Sequence, residues 1–123
     1  MQNTSHLLMI KPVNFGFNPE TAVNNAFQIA GYNDFAQQNA AKEFDNFITK
    51  LSIYGIDVTV VEDTPSPYTP DSIFPNNWIS FHDGNIICLY PMFAENRRKE
   101  RKPHVIEAIR SKFKVEKTID FTY

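Results

Sequence analysis

A chain of 123 residues, 42% of them hydrophobic, can build one domain spanning 1–123, because the buried share of surface is modest at this size and leaves little margin for a second core. A net charge of −2 provides no general field for nucleic acid or an anionic membrane, and the locally basic run Arg97-Arg98-Lys99-Glu100-Arg101-Lys102 reads as a solvated helix start. One cysteine excludes an internal disulfide and fits a reducing compartment, with cytoplasm as the expected location.

Met1 to Lys11 has no basic leader and only a short apolar run, so neither a signal peptide nor a membrane span is expected there. Leu7 to Ile10 predicts a strand buried on both faces, ended by Lys11-Pro12. Val13 to Asp34 has no clean period and is expected to be loop, with a helical turn around Thr21 to Phe27. From Phe35 to Tyr54 the apolar residues Ala40, Ala41, Phe44, Phe47, Ile48 and Leu51 follow helical spacing and predict a core-facing helix. Asn33 or Asp34 would cap its start, and Gly55 stands where a left-handed residue ends a helix. Ile56 to Val61 predicts a strand, and Glu62 to Pro70, with three prolines, a stiff loop that delivers Asp71.

Trp78 to His82 and Asn85 to Tyr90 are β-rich runs on either side of Asp83-Gly84, a dipeptide suited to a two-residue hairpin turn. Pro103 then opens a second helix with Val105, Ile106, Ile109 and Phe113 as its buried stripe, and Val115 to Phe121 predicts a final strand. The order is strand, helix, strand, hairpin, helix, strand, an α/β (α+β) chain.

Each hairpin strand covers about 16 Å at roughly 3.3 Å per residue, so Asp71, Asn76 and Asn77 before it and Asn96, Arg97 and Arg98 after it finish at one edge. A carboxylate takes up an amine, side-chain amides donate to and accept from a ureido group, and an Arg fork grips a carboxylate. Together they suit an amino acid with a ureido or guanidino tail. The same residues also fit a plain turn followed by a solvated helix start.

Pro70-Asp71-Ser72-Ile73-Phe74-Pro75-Asn76-Asn77-Trp78, followed by the hairpin and Asn96-Arg97-Arg98-Lys99-Glu100, resembles the amidinotransferase and dimethylarginine dimethylaminohydrolase branch of the guanidino-group-modifying enzymes. With Asn14-Phe15-Gly16-Phe17-Asn18 and Glu20-Thr21-Ala22, it is most similar to the citrulline-utilising hydrolases described as amidinotransferase-like. The resemblance implies a pentein-type α/β propeller closed by five ββαβ modules, of which this chain would supply about two. It also implies that Asp71 holds the substrate amino end, that Arg97 faces the substrate carboxylate, and that Phe74 is a pocket wall. Asn14, Phe17 and Asn18 would border the site. Asn76 and Asn77 replace the acidic residues of arginine-processing relatives, and an amide pair suits an uncharged ureido group better than a cationic guanidinium. Citrulline or a related ureido acid is therefore the expected substrate.

Such enzymes attack the guanidino or ureido carbon with a cysteine near the C-terminus, assisted by a histidine and an acid from intermediate modules, all expected beyond Tyr123. Cys88 lies mid-strand among Ile86, Ile87 and Leu89, an apolar setting that suppresses the thiolate. His6, His82 and His104 have no nucleophile or acid partner nearby in sequence. Neither a catalytic residue nor a metal site is assigned, and no cofactor is expected. The expected partner is a small-molecule amino acid, with no nucleic acid and no membrane. Two rival readings are a non-catalytic pentein module akin to a ribosome-binding translation factor, and a truncated product that self-associates through exposed sheet edges.

Overall fold

A computed structural model describes residues 3–22 and 35–122 and places two small sheets side by side. Strand β1 (His6–Lys11) pairs in parallel with β2 (Asp57–Glu62), from His6 opposite Asp57 to Lys11 opposite Glu62. Between them in the chain lie a short helix α1 (Pro19–Ala22) and the long helix α2 (Ala36–Ile53). A 3-10 turn over Pro75–Asn77 leads into β3 (Ile79–His82), which pairs antiparallel with β4 (Ile86–Leu89). Helices α3 (Glu95–Arg98) and α4 (Pro103–Lys112) follow, and β5 (Lys117–Asp120) returns parallel to β4. The chain is thus mixed α/β, a βαβ unit followed by a ββαβ unit, and the described residues form no closed barrel.

Sequence chemistry explains the element ends. After α2, Gly55 adopts φ +78°, and the Ile56 amide donates to the Leu51 carbonyl (3.0 Å) while the Gly55 amide donates to that of Ser52 (3.0 Å). These are the two bonds of a Schellman termination, which needs a residue free of a Cβ penalty at that point. Pro103 occupies the first turn of α4, where its missing N–H costs nothing. The caps expected at Asn33 or Asp34 lie outside the described residues.

The core gathers Ile10 of β1, Val61 of β2, Trp78, Ile79 of β3, Ile87 and Leu89 of β4, and Val105 and Ile109 of α4. Three expectations need correction. No residue of α2 is fully buried and Phe47 is 51% exposed, because the helix lies against a two-stranded sheet too narrow to cover its stripe. For the same reason β1 is not buried on both faces: Ile10 alone is buried, and Leu7, Leu8 and Met9 are half-covered. The hairpin turn is one residue longer than read, since His82 pairs with Ile86 and leaves Asp83, Gly84 and Asn85 as the connection. Both Gly84 (φ +81°) and Asn85 (φ +58°) are left-handed there, conformations that Gly and Asn accept most readily.

Candidate functional site

The proline-rich loop after β2 is fixed by one buried cation. Lys102 donates to Asp63 Oδ1 (2.6 Å) and to the carbonyls of Thr64 (3.0 Å) and Pro67 (3.1 Å), which uses all three ammonium hydrogens. Thr69 Oγ1 donates to Asp63 Oδ2 (3.3 Å), and Ser72 Oγ donates to the Thr69 carbonyl (2.9 Å). Between Thr69 and Ser72 the loop presents Asp71, whose carboxylate is buried.

The loop after β1 meets Asp71 from the other side. Asn18, fully buried, donates from Nδ2 to Asp71 Oδ2 (2.8 Å), and Thr21 Oγ1 donates to the same oxygen (3.0 Å). Asn18 Oδ1 accepts from the Glu20 amide (3.1 Å), so the residue also caps the first turn of α1. Asn96 Nδ2 donates to Asn18 Oδ1 (2.8 Å), and the Asn96 backbone amide donates to Glu20 Oε2 (3.0 Å). The two loops are thereby joined to α3.

Arg97 stands beside this cluster, its Nε 3.9 Å from Asp71 Oδ2. Its fork is already engaged: Nε donates to Glu100 Oε1 (2.8 Å) and Nη2 to Glu100 Oε2 (3.1 Å) and to the Phe74 carbonyl (3.4 Å). Nη1 donates to Asn77 Oδ1 (2.9 Å). Burial pushes the Glu100 carboxyl above its ordinary value; Arg97 opposes that rise, and the nearby charges of Asp71 and Asp63 add to it.

The structure therefore brings together two hydrogen-bonded pairs, Asn18 with Asp71 and Arg97 with Asn77, joined by the 3.9 Å ion pair between Asp71 and Arg97, with the exposed Phe74 lending its carbonyl to Arg97. Asn76 departs from expectation. Ile73, Pro75 and Asn76 line an open groove of about 1080 Å³ between the two sheets, whose walls include neither Asp71 nor Arg97. Of the two amides, Asn77 alone bonds to Arg97. Only one guanidinium joins the group, since Arg98 donates to the carbonyls of Met92 (2.9 Å) and Phe93 (3.1 Å). Asn14 is exposed and Phe17 half-covered, and Asn18 alone of that trio contributes a hydrogen bond to Asp71.

The basic run is not a solvated face, because Glu100 and Lys102 are among the most buried polar residues of the described chain. Sequence reasoning assigned no role to either of them or to Thr21, and it brought Asn96 to this edge without giving it one. Arg97 and Glu100 stand three apart, a spacing that allows an ion pair and was a usable signal. Lys102 and Asp63 are 39 positions apart, and nothing local announces their pairing.

A family model described as N,N dimethylarginine dimethylhydrolase, eukaryotic, matches residues 11–123. The chain belongs to this dimethylarginine dimethylhydrolase family. No curated protein and no solved structure matches it. Membership places the chain among hydrolases of arginine-type compounds. Against that chemistry, Cys88 is buried in β4, and the histidines are engaged elsewhere. His82 Nε2 bonds with Ser80 Oγ (2.7 Å), His6 Nδ1 with Asp57 Oδ2 (3.1 Å), and His104 Nε2 with the Glu62 carbonyl (2.9 Å). Among the described residues no group of His, Cys, Asp and Glu could hold a metal ion, and no helix is long and apolar enough to cross a membrane.

Proposed function

We propose that this chain is the substrate-recognising part of a cysteine-dependent hydrolase or amidinotransferase that acts on the ureido or guanidino group of a citrulline-like or arginine-like amino acid. Its two units would be about two of the five modules of a pentein-type propeller. The observation that carries the reading is the buried carboxylate of Asp71, held by Asn18 and Thr21 and opening beside Arg97, Asn77 and Phe74. Asp71 takes the substrate amine. Arg97 contributes positive charge and its remaining Nη1 hydrogen toward the substrate carboxylate rather than a two-pronged grip, since Glu100 occupies the fork. Asn77 faces the polar tail, and Phe74 covers the methylenes. Asn18 holds Asp71 from behind, while Asn76 serves the neighbouring groove.

Chemistry by the chain alone is not expected, because a thiol in the middle of an apolar strand is a poor nucleophile. Titration of the chain with citrulline and with arginine, followed by calorimetry, tests recognition. Binding that weakens about tenfold or more in Asp71→Asn fits an amine held by that carboxylate. Equal binding by the two proteins removes Asp71 from the site, and release of ornithine or ammonia by the chain overturns its assignment as a recognition piece.

A further inference from the structure

Glu100 is the one carboxylate near the site that no ligand could reach, for its side chain has no exposed surface. Both of its oxygens are spent on Arg97, in the parallel two-bond geometry that holds a guanidinium most rigidly. The consequence lies one residue further out. Arg97 Nη1 can only donate, so the amide it meets at Asn77 must present its oxygen. The Asn77 nitrogen is then left facing away from Arg97, on an exposed residue beside the exposed Phe74 ring, with no partner among the described residues.

We propose that Glu100 is a positioning residue whose grip on Arg97 fixes the sense of the Asn77 amide, so that Asn77 meets a ligand as a hydrogen-bond donor. This rests on the substrate reading above and sharpens it. A donor suits a group with a carbonyl oxygen, such as a ureido tail, and has nothing to offer a guanidinium, which carries only donors. An amide free to flip would serve either ligand. Discrimination then depends on a carboxylate that touches neither.

The test compares the affinity ratio of citrulline to arginine in the wild-type chain, Glu100→Gln and Asn77→Asp, with thermal melting as a check on folding. The wild type should favour citrulline by about tenfold, the factor expected for one hydrogen bond gained or lost. Glu100→Gln keeps the volume but loses the bidentate partner, and its ratio should fall toward one while both ligands still bind. A purely structural role would weaken both ligands equally, and an unchanged ratio in the folded variant overturns the proposal. Should Glu100→Gln not fold, Asn77→Asp decides: an acceptor-only side chain should shift the preference toward arginine, and an unshifted ratio refutes it. If the wild type binds neither amino acid, the substrate reading fails by itself. Relaxation of the Asn77 side-chain NH₂ resonance then judges the positioning role, which stands if the amide is rigid in wild type and mobile in Glu100→Gln, and falls if the two proteins behave alike.

Discussion

Replacing Lys102 with methionine should unfold more of the molecule than any comparable change on its surface. The side chains of Lys102 and Asp63 are 5% and 7% exposed, and the ammonium satisfies a carboxylate oxygen and two carbonyls at once. Lys102→Met keeps the approximate length of the stem but leaves the Asp63 charge buried and the carbonyls of Thr64 and Pro67 without this donor. Breaking a buried pair from one side costs about 3–5 kcal/mol. At about 0.05–0.15 kcal/mol per residue, a chain of 123 residues has a total stability of roughly 6–18 kcal/mol. The loss is therefore a large share of the whole. Urea denaturation followed by the fluorescence of Trp78, the only tryptophan and a buried one, measures it directly. Adding Asp63→Leu to Lys102→Met should recover much of the loss, because the uncompensated charge goes with it. A single variant within about 1 kcal/mol of wild type, or a double variant no better than the single, would refute the claim that this pair holds the loop.

Gly55→Ala should cost about 1 kcal/mol, although nothing lies within 4 Å of the added methyl group, because the penalty comes from a φ of +78° rather than from a clash; equal melting temperatures would refute it. Ile109→Ala, at a core position 1% exposed, should cost about 2–5 kcal/mol in the same urea assay, and a loss under 1 kcal/mol would mean that α4 does not close the core. Glu100 has a pKa raised above its ordinary 4.5 in the folded chain, so folding takes up a proton between those two values. Stability should accordingly fall as pH rises through that window, and Glu100→Gln should remove this slope. The lowered carboxyls of Asp57 and Asp120 act elsewhere: the stability they contribute is present above 3.8 and is lost as pH falls through their folded values. A wild-type minus Glu100→Gln stability difference that is flat across pH would refute the Glu100 assignment.

The elements were legible wherever one local rule governed them. Helical spacing from Ala40 to Leu51, the glycine at 55 and the proline at 103 each fixed a helix or its end, and all three stand in the structure. Extent of burial was not legible, because it depends on how many strands each element meets: α2 carries an apolar stripe that its narrow sheet leaves half-covered. In the site, spacing brought Asp71, Asn77 and Arg97 to one edge correctly. Asn76 lines the groove between the sheets instead of bonding to this group, in a 3-10 turn whose successive residues step by about 120°. Spacing also misread Glu100 and Lys102 as solvated, because a charged residue is buried only when a partner is waiting, and Lys102's partner lies in another loop.

The place of the site follows from strand direction. β1 and β2 run in parallel, so the loops leaving their carboxyl ends, which carry Asn18 and Asp71, necessarily emerge at the same edge. β3 runs against β4, so the residues entering β3, Phe74 to Trp78, share an edge with those leaving β4, and Asn77 comes within reach of Arg97. What topology does not supply is a link between the two sheets, which do not pair with one another. Asn96, bonded to Asn18, and Lys102, bonded to Asp63, supply it from the second unit, and Asn18 in turn holds Asp71. Recognition groups placed on such loops are positioned by the strands beneath them. A ligand amine on Asp71 would therefore sit at the point where the two units are joined, and it would add to the hold between them.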